Sequence, residues 1–157
     1  MPSFRTTRRV RHTAGEMFDL VADVERYPEF VPLCEQLKVK RRAEGGEGTE
    51  ILVADMTVAY GPVRQSFTSQ VTLDRARLAI LVEYLDGPFR QLENRWRFRP
   101  AGEKSSEVDF FISYEFRSKT LGLLMGAAFD KAFRRFAEAF EQRADKIYGV
   151  SAPPAQL

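Results

Sequence analysis

Residues 108–149, VDFFISYEFR followed by SKTLGLLMGAAFDKAFRRFAEAFEQRADKIYG, carry two hydrophobic periods back to back. In the first ten, Val108, Phe110, Ile112, Tyr114 and Phe116 alternate with Asp109, Ser113, Glu115 and Arg117, and Phe111 alone is out of phase. That is the period of a strand with one wet and one buried face. From Ser118 or Thr120 the period becomes helical. Leu121, Leu124/Met125, Ala128/Phe129, Ala132/Phe133, Phe136, Phe140, Ala144 and Ile147 form one stripe that stops at Gly149, a C-cap residue. A helix of this length spans about 40 Å. With one apolar stripe it has to lie across a sheet, because no other segment is large enough to cover that sheet.

Working outward, Leu92, Asn94, Trp96 and Phe98 alternate with Glu93, Arg95, Arg97 and Arg99. Between residues 35 and 117, Gly45-Gly46-Glu-Gly48, Gly61-Pro62, Asp74-Arg-Ala, Gly87-Pro88 and Pro100-Ala-Gly102 punctuate six strands of an antiparallel meander. The Gly45–Gly48 run separates two strands and opens no helix, so it reads as a hairpin turn rather than a phosphate loop. Upstream, Phe4, Thr6, Arg8 and Val10 mark a first strand. Thr13-Ala-Gly-Glu16 fits a capping box for a helix over residues 14–24. Tyr27-Pro28-Glu-Phe30-Val-Pro32 follows, whose prolines permit a single turn starting near Pro28. The expected architecture is α+β: one domain over residues 1–149 with a curved antiparallel sheet of about seven strands, two short helices after the first strand and the long C-terminal helix. Residues 150–157, Ser-Ala-Pro-Pro-Ala among them, read as a flexible tail.

Composition narrows the chemistry. The chain has 157 residues, 44% of them hydrophobic and 29% charged, with a net charge of +2. That is the size and make-up of one packed domain. One cysteine, Cys34, and one histidine, His12, exclude zinc sites built from four cysteines, from two cysteines with two histidines, or from three histidines, and no metal ligation is expected. No apolar run approaches the roughly 18 residues of a membrane span, and an apolar signal core is missing from the start, so a cytoplasmic location is expected. His12 lies at the end of the first strand beside the helix cap, where a solvated or cap-adjacent role outweighs catalysis. Cys34 reads as a structural thiol with no identifiable base. Glu138 and Glu141 pair on the polar side of the last helix. No catalytic residue is assigned. Asn94 shares the inward phase of Leu92 and Trp96 and suits the polar head of a ligand; Asp55 lies in a strand that is apolar on both phases and is open to either face.

Arginine outnumbers lysine 18 to 6. Three clusters stand out: Arg8, Arg9, Arg11; Lys38, Lys40, Arg41, Arg42; and Arg95, Arg97, Arg99. The last is a ladder with about 6.6 Å between rungs, suited either to phosphates of RNA or lipid or to cross-strand pairing with acids such as Glu83, Asp109 or Glu115. In the last helix, Gly122, Gly126, Ala127 and Ala128 crowd one half and Phe129, Phe133, Phe136 and Phe140 the other. Small side chains would leave volume between helix and sheet, closed at the far end by phenylalanines; the same pattern fits a tight core in which small residues admit close contact.

The segments Asp23-Val-Glu-Arg-Tyr27-Pro28-Glu-Phe30-Val-Pro32-Leu-Cys34 and Asp86-Gly87-Pro88-Phe89-Arg-Gln-Leu92-Glu-Asn-Arg-Trp96-Arg-Phe98, in this element order, resemble the coenzyme Q-binding family of START-like domains, related to the polyketide cyclase and dehydrase superfamily. The resemblance covers about residues 3–148. It implies a helix-grip fold with a lipophilic tunnel and binding of ubiquinone or a similar polyprenyl lipid in support of respiratory electron transfer, without catalytic residues or a cofactor other than that ligand. Relatives within the family are described as ribosome-association toxins that block subunit joining, which makes the ribosome the alternative partner. On this reading Phe30 and Leu33 stand at the mouth, Met56, Tyr60, Phe67, Leu92 and Trp96 line the tunnel from the sheet, and Leu124, Ala128 and Phe129 line it from the helix. The family's motif carries Tyr27, Pro28, Phe30, Pro32, Gly87, Pro88, Leu92 and Trp96, the other assignments resting on periodicity, while backbone N–H groups, Asn94 or Tyr60 would supply hydrogen bonds to the head group. A lipid carrier would also touch an anionic membrane surface, the inner membrane's, through its arginines. A cyclase-type enzyme on the same fold would need a titratable pair in the cavity, for which Asp55 and Glu83 are the candidates.

Overall fold

The computed structural model describes residues 3–149, so the tail read at 150–157 lies outside the described residues. Strand β1 (Ser3–Val10) leads into α1 (Ala14–Ala22), a 3-10 helix (Val24–Glu29), strands β2 (Cys34–Glu44), β3 (Thr49–Tyr60), β4 (Val63–Asp74), β5 (Ala79–Asp86), β6 (Phe89–Gly102) and β7 (Ser105–Phe116), and the 30-residue helix α2 (Lys119–Tyr148). All seven strands form one antiparallel sheet in the order β1-β7-β6-β5-β4-β3-β2. The meander expected from the punctuators is therefore present, with the first strand returned beside the last.

The capping box closes α1: Thr13 Oγ1 accepts from the Glu16 amide at 3.0 Å, and the Glu16 carboxylate accepts from the Thr13 amide at 2.9 Å. The helix stops at Ala22, two residues short of the expected end. The turn expected at Pro28 is a 3-10 helix that already begins at Val24 and contains Pro28, whose missing N–H costs nothing where neighbouring bonds run from Arg26 to Asp23 and from Phe30 to Tyr27. Pro100-Ala-Gly102 is not a turn either. It lies within β6 at a register shift between Pro100 and Gly102, a bulge that tolerates a residue unable to donate to the ladder. Gly45–Gly48 does form the β2–β3 hairpin, with the Thr49 hydroxyl donating to the Gly46 carbonyl at 2.7 Å. At the β5–β6 turn Gly87 has φ +142°, and a Cβ there would lie 2.6 Å from that of Phe67. Only glycine fits this approach.

Helix α2 leans on β7, β1 and α1. Phe140 sits at the centre of the grip, with ring centroids 5.2 Å from Tyr27, 4.9 Å from Phe30 and 4.9 Å from Trp96. His12 is buried rather than solvated: its Nε2 lies 2.6 Å from Asp145 Oδ1, joining the end of β1 to the last turns of α2 across 133 residues of chain. Arg8 and Glu141 pair along the same seam.

Candidate ligand-binding cavity

Because α2 bears on β7 and β1, it stands off the half of the sheet built from β2–β5, and a cavity fills the gap between them. Its floor is the inward phase of successive strands: Ala54, Met56 and Val58; Phe67, Ser69 and Val71; Val82; Leu92, Asn94 and Trp96; Ile112. Its roof is Phe129, Ala132, Phe133, Phe136 and Phe140 of α2, and Val24, Tyr27, Pro32, Leu33 and Leu37 make the side wall. The liners of that wall from Tyr27 to Leu37 are half-buried, whereas Trp96, Ile112 and Phe129 are buried, so the cavity opens beside β2 and ends against β6 and β7. It is narrow. Its volume is about 80 Å³. An isoprenoid chain would have to push α2 and the sheet apart further, since drug-sized ligand pockets run to roughly 300–1,000 Å³.

The polar groups are few. Asn94 points inward, as its phase requires, and is half occupied: Nδ2 donates to the Phe111 carbonyl at 2.8 Å and Oδ1 accepts from Trp96 Nε1 at 2.9 Å. One N–H and one lone pair remain. The Tyr27 hydroxyl is spent on the Val21 carbonyl at 2.5 Å, and burial pushes its ionisation well above the ordinary range. Asp55 lies on the outer face, accepting from the Thr68 hydroxyl at 2.5 Å and lying 3.6 Å from Lys40, and Glu83 is exposed. Neither acid lines the cavity, so the pair that a cyclase would need is not assembled there.

Of the residues expected to contact a ligand, Tyr27, Leu33, Met56, Phe67, Leu92, Asn94, Trp96 and Phe129 lie on the cavity wall. Phe30 sits behind it, packed on Tyr27 and Phe140 with the Arg143 guanidinium 5.0 Å from its ring centre. Three further residues depart from expectation. Tyr60 is 51% exposed at the tip of the β3–β4 hairpin, beyond the part of the sheet that α2 covers; Leu124 is 57% exposed; and Ala128 is half-buried off the cavity. The roof comes from the phenylalanine half of α2, not the Gly/Ala half. Gly122, Gly126 and Ala127 instead border an open groove with Tyr114, Phe116 and Asp130. Sequence reasoning passed over Val24, Leu37, Ala54, Val58, Ser69, Val71, Val82, Ile112 and Ala132 among the wall residues; Ser69 carried a signal, since it stands in the inward phase between Phe67 and Val71.

Cys34 is buried, and loss of hydration pushes its thiol up to about 11, against a small opposing effect of its contact with the Gln36 carbonyl. Set against an ordinary value of 9.0, thiolate is about a hundredfold scarcer at neutral pH. Alkylation by iodoacetamide at pH 8 is expected to run at least tenfold slower than for free cysteine; a rate equal to the free thiol would show Cys34 to be accessible and ionised. Among the described residues no three His, Cys, Asp or Glu side chains gather as a metal site requires.

Half of the basic side chains in the three clusters are neutralised, Arg8 and Lys40 among them. Arg95 pairs with Glu93 at 2.5 Å, Arg99 with Asp109 at 2.9 Å, and Arg42 with Glu25 at 2.7 Å. Arg9, Arg11, Lys38, Arg41 and Arg97 have no ion pair among the described residues, Arg9 donating instead to the Ala101 carbonyl. Lys38, Lys40, Arg41 and Arg42 lie on β2, a sheet edge with two register shifts, where charge and bulges also discourage pairing with another chain. Among the described residues no helix is long and apolar enough to cross a membrane.

This geometry has relatives. The chain is 34% identical over 140 residues to the ribosome association toxin RatA of Vibrio cholerae, covering 89% of this chain and 93% of that one. It is 33% identical over 143 residues to the coenzyme Q-binding protein COQ10 homolog B, mitochondrial, of Xenopus laevis, covering 88% of this chain and 56% of the relative. Among solved structures it superposes on the 18 kDa protein CC1736 of Caulobacter crescentus with a TM-score of 0.76 at 31% identity, covering 96% and 100% of the two chains. A START superfamily protein from Mycobacterium smegmatis shares the fold with a TM-score of 0.76 at 20% identity, covering 92% and 98%. Residues 10–141, which hold six of the seven strands, most of the gripped helix and the whole cavity lining, match the model for polyketide cyclase / dehydrase and lipid transport proteins, and the chain belongs to that family.

Proposed function

We propose that the protein binds ubiquinone or a related polyprenyl lipid in the sheet–helix cavity and carries it in support of respiratory electron transport. The observation that carries this reading is a cavity whose walls are apolar except for Ser69 and the half-occupied Asn94. Apolar walls suit an isoprenoid, which gains by leaving water, and a few fixed polar groups suit its head. The relative named as coenzyme Q-binding supports the same ligand class. With no carboxylate on the wall, the site favours holding a molecule over acid–base conversion of it. A carrier of this kind works in the cytoplasm and meets the inner membrane's surface when it loads and unloads.

The test is organic extraction of freshly purified protein and mass spectrometry of the extract, beside a same-size control protein from the same host. Near-stoichiometric quinone is the expected result. An empty extract from folded protein would shift the reading to the ribosome. That second reading is favoured by the RatA relative, which matches over 93% of its own length. It predicts co-sedimentation with ribosomes that falls steeply with salt and weakens when Lys38, Arg41 and Arg97 are neutralised; sedimentation indifferent to salt counts against it.

A further inference from the structure

Ser69 is 6% exposed, lines the cavity, and its hydroxyl has no hydrogen-bond partner among the described residues. The enclosed side-chain atoms without a partner are Ser106 Oγ and Arg143 Nε, so the Ser69 oxygen instead faces the open space of the cavity, where a methyl group would serve as well were this only a packing position. The second polar point on the wall is Asn94, with one N–H and one lone pair to spare. The register fixes their relation. Ser69 faces Tyr84 on β5; two residues along β5, Val82 faces Asn94 on β6. Two strand spacings and two residues of rise put the two Cα atoms about 12 Å apart on the same face of the sheet.

We propose that Ser69 and Asn94 are the paired anchors for a ligand ring that carries oxygen at opposite positions, one oxygen to each residue. This rests on the lipid-carrier reading and specifies the head group that it selects. A six-membered ring with oxygens at opposite vertices fits between two inward-pointing side chains at that spacing, once a hydrogen bond of about 2.9 Å is added at each end. A fatty acyl or plain hydrocarbon chain offers nothing to either anchor. Each anchor can donate and accept. The pair therefore holds the oxidised ring, whose oxygens only accept, and the reduced ring, whose hydroxyls also donate, without a large preference for either.

The test compares two probes in wild type and Ser69→Ala: a ubiquinone with a short isoprenoid tail, and squalene, which has tail chemistry and no oxygen. Ser69→Ala removes one oxygen without altering the backbone and leaves Asn94's bonds to Trp96 and Phe111 intact. The expected result is about a five- to tenfold loss of ubiquinone affinity, the worth of one buried hydrogen bond, with squalene uptake unchanged. In wild type the oxidised and reduced probes should bind within about tenfold of each other. Ubiquinone affinity unchanged in Ser69→Ala, or equal losses for both probes, would overturn the anchors and leave the carrier reading standing. Wild type that takes up neither probe would overturn the carrier reading and the anchors with it.

Discussion

Phe140→Ala is expected to cost about 3–5 kcal/mol, the largest stability loss of any single truncation in α2, seen as a lower urea midpoint with an unchanged slope. Phe140 is 1% exposed, and its ring meets Tyr27, Phe30 and Trp96 edge-on. It ties the helix at once to the 3-10 segment and to β6. Buried aromatic pairs of this geometry contribute about 0.5–1.5 kcal/mol each beyond the area they bury. Arg143 latches the same seam, pairing with Glu29 at 2.5 Å, but that pair is partly exposed and adds little by comparison. Because Phe140 also lines the cavity, the truncated protein keeps a larger void next to an existing one, and collapse to fill it is poor. A loss under about 1 kcal/mol would mean that the helix is held mainly elsewhere, through Phe129 and Phe133 on β7.

The fold was legible because its signals are local and mutually consistent. Strand β7 alternates without a break on its inner face, Thr13 and Glu16 announce a helix start by themselves, and Asn94's direction follows from its neighbours' phase. The site was legible only where phase decides. Tyr60 has the parity of Ala54, Met56 and Val58, yet parity cannot say how far along a strand the cover extends, and Tyr60 stands past its edge. On α2 the apolar stripe contains adjacent pairs, Leu124/Met125 and Ala128/Phe129, and a period of 3.6 residues cannot choose within a pair. The structure buries Met125 and Phe129 and leaves Leu124 in water. The position of the cavity was misread for a deeper reason. Side-chain size along one helix suggests where volume is lost, but the space here arises because the whole helix backbone bears on β1 and β7 and stands off β2–β5. That is a property of three-dimensional placement and not of the helix's own sequence. The His12–Asp145 contact joins residues 133 apart, and no local pattern announces it.

Ala132→Trp is expected to reduce bound quinone more than about tenfold while lowering Tm by less than about 4 °C. Ala132 is 6% exposed and sits in the roof between Phe129 and Phe136, facing the cavity. In a filled core, so large an insertion costs about 1–3 kcal/mol or more through forced rotamers and backbone shifts, and in a domain of this length each kcal/mol moves Tm by roughly 2–4 °C. In a standing cavity the indole occupies the ligand's volume, and the same substitution costs binding instead of stability. Leu124→Ala is the control: exposed and away from the wall, it should change neither quantity. The two readouts separate the alternatives. Lost quinone with an intact Tm identifies the space under α2 as the ligand's own volume. A Tm lowered by about 10 °C or more, with unfolding accounting for the lost quinone, would identify it as ordinary packing looseness that the native side chains fill as they move.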